Sequence, residues 1–290
     1  AIGYASAAAL TSGAGNVAIG YEALTGHTTG VRNIAIGYQS QYQTAGDVND
    51  APNSDDNVSI GYQAMGGNWE DDQTNENNVA IGSYALDGAL DDSSYNVAIG
   101  HNAGGAVTTG DTNVFIGNEA GATSTAAQDM VAIGGDAMGD GNVTAAAVGS
   151  VAIGMNALND LTSGAGNVAV GKLALAVATT SSLNTAIGHQ AGSSLNASGN
   201  QLNTLMGYHA AVNLQDGTSN VVIGARAFDA ADGNEANNVV IGADAGTSIN
   251  LDTADGNVLI GHDCGTGGAA AMIECVAIGR AAMDATAANA

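Results

Sequence analysis

A chain of 290 residues with 28 Asp and Glu against 4 Lys and Arg carries a formal charge of -24, a surface that repels nucleic acid and anionic membrane alike. Glycine contributes 43 residues, Pro52 is the single proline and aromatic residues make up 4%, which excludes a large globular core of the usual kind. No apolar run approaches the roughly 18 residues of a membrane span, so direct membrane insertion is not expected.

From the amino end onward, the stretch Asn16-Val17-Ala18-Ile19-Gly20-Tyr21-Glu22-Ala23-Leu24 recurs in close copies. With the glycine as phase marker, the copies fall at Gly3, Gly20, Gly37, Gly61, Gly82, Gly100, Gly117, Gly134, Gly154, Gly171, Gly188, Gly207, Gly224, Gly242, Gly261 and Gly279. Most steps are 17 to 19 residues, and the longest are 24 and 21. A short fixed period of this kind predicts a solenoid, each unit being one coil that buries its apolar face only against its neighbours. The expected architecture is all-β: a parallel β-solenoid of about sixteen coils of about 17 residues, with residues 1-290 as a single repeat domain. Acidic loop insertions are expected at 41-56 and 66-77. The chain opens at Ala1-Ile2-Gly3, inside a repeat, and is expected to be a piece of a longer fibre protein.

The three residues before each marker glycine, such as Val17-Ala18-Ile19 and Val114-Phe115-Ile116, form a short apolar, β-rich run and predict a strand. Four residues before the glycine stands Asn in twelve of the fifteen copies that include the position, which predicts a side-chain ladder serving turn backbone groups. Three residues after it, Ala fills thirteen of sixteen copies and suits a narrow interior. Four residues after it the copies divide. Leu24, Met65, Leu86, Met138, Leu158, Leu175, Phe228 and Met283 are expected as interior filler, whereas Gly104, Gly121, Gly192, Gly246 and Gly265 leave space.

Along a strand the side chains alternate, so Val17 and Ile19 face one way and Ala18 the other. Both faces are apolar, and the outward one, taken to carry Ala18 and its equivalents, needs a cover. Copies of the same chain around a common axis provide the simplest one.

The unit Asn-Val-Ala-Ile-Gly-x-x-Ala resembles the repeat of YadA-type heads in trimeric autotransporter adhesins and the equivalent repeats of bacteriophage tail fibres. The likeness runs through essentially all 290 residues. It implies a left-handed β-roll in a side-by-side homotrimer, without catalysis, attached to a host surface glycan or surface protein. Such a protein is extracellular, on a virion tail fibre or a bacterial cell surface. A purely structural extracellular filament or shell component is the alternative, and a polysaccharide-degrading tailspike the third reading. No nucleophile motif, zinc spacing or phosphate loop appears, so no catalytic residue is assigned.

Asp47, Asp50, Asp55 and Asp56 in the first insertion and Glu70, Asp71 and Asp72 in the second concentrate carboxylate oxygens suited to Ca²⁺. No cofactor is required otherwise. Trp69, in the same acidic loop, is a candidate platform for stacking a sugar. Tyr4, Tyr21, Tyr38 and Tyr62 follow the marker glycine in four successive coils, which predicts a ladder that either stiffens the solenoid or binds glycan. His101, His189 and His262 share that position in separated coils. Cys264 and Cys275, one coil apart, are either a disulfide or two free thiols.

Overall fold

The computed structural model describes residues 1–42, 54–67, 74–249, 254–266 and 272–284. Among these, the chain is a parallel β-solenoid whose one helical element is a 3-10 turn at Ala145–Ala147. It divides into two compact units, Ala1–Val148 and Gly149–Ala290.

The first unit stacks β1 (Val17–Ile19), β2 (Ile34–Ile36), β3 (Val58–Ile60), β4 (Val79–Ile81), β5 (Val97–Ile99), β6 (Val114–Ile116) and β7 (Val131–Ile133) in parallel and in sequence order. The second unit stacks β8 (Val151–Ile153), β9 (Val168–Val170), β11 (Thr185–Ile187), β13 (Thr204–Met206), β14 (Val221–Ile223), β15 (Val239–Ile241), β16 (Val258–Ile260) and β17 (Val276–Ile278) likewise. A short pair, β10 (Ser181–Ser182) with β12 (Gly199–Asn200), lies beside them on the return side. Every three-residue strand ends one residue before a marker glycine. Equivalent positions pair, Val17 with Ile34 and Ala18 with Ala35, so each sequence column becomes a column in space.

The strand faces run opposite to the expectation. The middle residue points inward: Ala18, Ala35, Ala80, Ala98 and Phe115 are buried. Their neighbours Val17 and Ile19 point outward, 41% and 37% exposed. The interior is narrow and in many coils already holds a large residue four places after the glycine, so the strand contributes mostly Ala to it. The branched residues therefore form the outer face.

Tight corners close a coil within so few residues. Gly20 has φ +138°, and a Cβ there would sit 2.2 Å from the carbonyl oxygen of Gly37 on the next coil, so both conformation and spacing demand glycine. Two further corner positions are left-handed although they carry side chains, as in Glu22 (φ 52°) and Leu24 (φ 55°), and so is Arg32 (φ 58°) before the next strand. Such residues persist only where surroundings over-determine them. Here the coil-to-coil ladder does so: Glu22 N–H donates to Tyr4 O, Leu24 N–H to Ser40 O and Arg32 N–H to Ala14 O, at 2.9, 3.0 and 3.0 Å.

Leu24, Met65, Leu86, Met138, Leu158, Leu175 and Phe228 are fully buried as expected, while Met283 is partly exposed. Where glycine replaces the large residue, the space is taken from the strand. Phe115 fills the gap between Gly104 and Gly121, where added Cβ atoms would approach its ring to 2.9 and 2.3 Å. Leu205 does the same for Gly192, and Leu259 for Gly265.

The asparagine column is a continuous staple within each unit. In the first, the Asn33, Asn57, Asn78, Asn96, Asn113 and Met130 N–H groups each donate to the Oδ1 of the preceding Asn, at 2.8 to 3.0 Å. Asn113 Nδ2 donates in turn to Ala127 O at 2.7 Å, and Asn16 Nδ2 to Gly30 O at the same distance. The second unit starts its column on Ser150 Oγ, which accepts from Asn167 N–H, and ends it with Cys275 N–H on Asn257 Oδ1. Each buried amide thus satisfies a corner that would otherwise leave backbone groups unpaired.

Candidate functional site

The repeat places one residue per coil just after the marker glycine, at the edge of the outward face. Tyr4, Tyr21, Tyr38 and Tyr62 stack there with ring centroids 5.3, 5.1 and 5.2 Å apart and planes within 14°. Tyr84 adds a fifth ring edge-on to Tyr62 at 5.3 Å and 71°, and His101 continues edge-on from Tyr84. Tyr84 escapes the sequence pattern because Ser83 holds the position after Gly82, and the ring reaches the column from one residue further on.

This geometry restricts what the ladder can bind. A sugar stacks on a ring face, and the faces of Tyr21 and Tyr38 are turned onto their neighbours. What solvent meets is a row of edges and phenol groups, with Tyr21, Tyr38 and Tyr62 each close to 43% exposed. A parallel side-chain row runs beside it: Gln39 Nε2 donates to Glu22 Oε2 at 2.8 Å, and Gln63 Nε2 to Gln39 Oε1 at 2.9 Å. The Glu22 carboxylate also hydrogen-bonds the Tyr21 phenol and pushes its pKa up.

Of the acidic candidates, Asp47, Asp50, Glu70, Asp71 and Asp72 lie outside the described residues, as does Trp69. Asp55 and Asp56 are described, and both have protein partners. Asp55 Oδ1 accepts the Val31 N–H at 2.8 Å, capping a corner of the preceding coil. Asp56 grips Arg32 with both oxygens at 2.5 and 2.6 Å, and this pairing holds its carboxyl below the usual range. Neither insertion-loop carboxylate is idle.

Asp244, His262 and Asp263 bring ligand atoms within 4.8 Å of one another, the one such cluster among the described residues. Its groups also answer each other. Asp244 pairs with Arg226 at 2.5 Å, and His262 Nδ1 lies 2.6 Å from Asp263 Oδ2. Tyr208 and His209 stack on each other at 3.8 Å, and His189 stacks against both, at 5.5 and 5.6 Å. Cys264 and Cys275 are free thiols. Cys264 Sγ points inward to Ala277 O at 3.2 Å, whereas Cys275 occupies the asparagine corner, so the two sulfurs serve different parts of the coil.

Two buried ionisable groups fall outside the sequence reading. His27 sits fully inside the first unit, donating from Nε2 to Gln41 O at 3.2 Å, and burial lowers its pKa to about 4. Glu235 is enclosed in the second unit with one oxygen accepting Gly233 N–H at 3.1 Å, and burial raises its pKa. Both stand at inward positions that carry apolar or small residues in other coils: Leu161 and Leu195 match His27, and Ala127 and Ala254 match Glu235.

Among the described residues no helix is long and apolar enough to cross a membrane. No protein-family model matches the chain, and comparison with curated proteins gives no match.

Proposed function

We propose that this chain is a segment of a non-enzymatic fibrous surface protein, a phage tail fibre or cell-surface adhesin, acting as a rigid spacer that presents loops for host attachment outside the cell. In this reading the repeat winds as a left-handed roll of about sixteen coils of about 17 residues. Three chains lie side by side with their Val and Ile columns against one another. The acidic insertions at 41-56 and 66-77 supply carboxylates for Ca²⁺ and the contacts to a host glycan or surface protein.

The observation that carries the reading is the outward strand face. Val17, Ile19, Ile99, Ile153, Ile187 and Met206 are all more than a third exposed, and the register aligns them into columns within each unit. Scattered exposed apolar residues are ordinary, but a contiguous patch marks a contact surface. The carboxylates Asp55, Asp56 and Asp244 are engaged by a backbone N–H or an arginine, not opposed to each other as a hydrolytic pair.

A purely structural filament would use the same columns, and a tailspike would add turnover. Titrating the chain onto immobilised host polysaccharides and surface proteins, while assaying released reducing ends, separates the three. Saturable binding without release supports the spacer. Release of shorter saccharides favours the tailspike, and growth into long polymers with no binding favours the filament.

A further inference from the structure

We propose that the Tyr4, Tyr21, Tyr38 and Tyr62 column is a site of oxidative coupling, at which a haem peroxidase with hydrogen peroxide joins tyrosines of neighbouring coils as dityrosine. Four observations converge on it. The rings of Tyr21 and Tyr38 lie 5.1 Å apart with planes within 7°, and those of Tyr38 and Tyr62 5.2 Å apart with the same tilt. They are exposed at the edge, so a peroxidase or its small radical carriers can reach the phenols. Glu22 is hydrogen-bonded to the Tyr21 phenol, placing a proton acceptor where an electron leaves. The charge of -24 keeps other copies apart outside a defined interface, so a phenoxyl radical meets its own neighbour first.

The chemistry balances. Each of two phenols loses one electron and one proton, and hydrogen peroxide takes up both pairs to give two water molecules. The radicals form a carbon–carbon bond between ring positions next to the hydroxyls, and the two displaced ring hydrogens pass to the phenol oxygens as aromaticity returns. Coupling requires each ring to swing out of the stack about its side-chain torsions, motions that exposed side chains make in picoseconds to nanoseconds. Holding the partners at equivalent corners of adjacent coils turns an encounter between molecules into an intramolecular step with a high effective concentration. The product is a covalent staple between coils, in a chain whose two cysteines are free.

Two tyrosines provide internal controls. Tyr95 is 60% exposed and Tyr208 50%, and neither stacks on another tyrosine among the described residues. If exposure alone decided, they would couple as readily as the column.

The test treats the intact chain with haem peroxidase and hydrogen peroxide, separates it on a denaturing gel, and digests the one-chain band with trypsin. Cleavage after Arg32 and Lys172 divides Tyr21 from Tyr38, leaving them on peptides 1–32 and 33–172. The expected product is a species with the summed mass of those peptides less two hydrogens. It is absent from Tyr21→Phe, which keeps the ring stack, and unchanged in Tyr95→Phe. The proposal is overturned if the linked pair persists in Tyr21→Phe, if the links join Tyr95 or Tyr208 instead, or if dityrosine appears only in bands of two or more chains.

Discussion

Gly37 combines two requirements that no other residue meets together. Its φ is +138°, and a Cβ would lie 2.1 Å from Gly61 O. Strained backbone of this kind costs about 1–3 kcal/mol before the clash is counted, so Gly37→Ala is expected to lower stability by roughly 3 kcal/mol or more in urea unfolding. Gly135 is the contrast, since a Cβ there finds its nearest neighbour at 3.9 Å, and Gly135→Ala should be close to neutral. The period alone identified the first class of glycine, because a residue repeated at every corner is one the corner needs. His27 was less legible. Its place inside a coil emerges only when coils are aligned on the glycine and His27 falls where Leu161 and Leu195 are buried. Because its folded pKa is lowered to about 4, the unfolded chain binds the extra proton between about pH 6.5 and 4, and stability falls as pH falls through that window. At pH 5 the loss is roughly 2 kcal/mol relative to neutral pH. Denaturant melts of the wild type and His27→Leu at pH 7 and pH 5 measure it, and the substitution should flatten the difference. Equal pH sensitivity in both would place its origin elsewhere.

At the scale of the coil, interior volume is shared between the strand centre and the residue four places after the glycine. Leu24 opposite Ala35 is the common arrangement, and Phe115 with Gly104 and Gly121 is the inverted one. Phe115→Ala is therefore expected to cost about 3–5 kcal/mol by leaving a cavity. Gly121→Leu alone should also destabilise, because its Cβ would press into the Phe115 ring at 2.3 Å. Together the two substitutions rebuild the common arrangement, with Leu at a φ near the 55° that Leu24 already adopts. The double variant should recover much of the loss, and a strictly additive cycle would contradict the sharing of volume. The three-residue strands were readable from the apolar triplets before each marker glycine, whereas the pair Ser181–Ser182 and Gly199–Asn200, polar and without such a triplet, was not. The facing of the three-residue strands was not readable either, because Val, Ala and Ile are all apolar and alternation cannot say which face is inside. Width decides: a narrow coil accepts Ala18 and turns Val17 and Ile19 out. The tyrosine column was likewise legible from spacing, but the mutual stacking that hides its ring faces required the coordinates, as did the corner roles of Asp55 and Asp56.

For the molecule as a whole, that facing matters more than any single residue. Each unit presents an outward column of Val and Ile, and a chain of charge -24 has ample polar surface elsewhere with which to stay soluble. Burying such columns between copies brings about 25 cal/mol for each Å² of apolar surface removed from water, a drive that grows with every coil added. Like charges oppose it, and divalent cations in the acidic insertions would relieve part of that repulsion. Chelation is accordingly expected to weaken association most at low salt, where repulsion is least screened. The most direct measurement is the solution mass by sedimentation equilibrium, for the wild type and for Ile36→Glu combined with Ile60→Glu, which puts charge into the column. The account predicts three times the 28.2 kDa chain mass for the wild type and a one-chain mass for the variant. A wild-type chain that stays at 28.2 kDa across the accessible concentration range would contradict it.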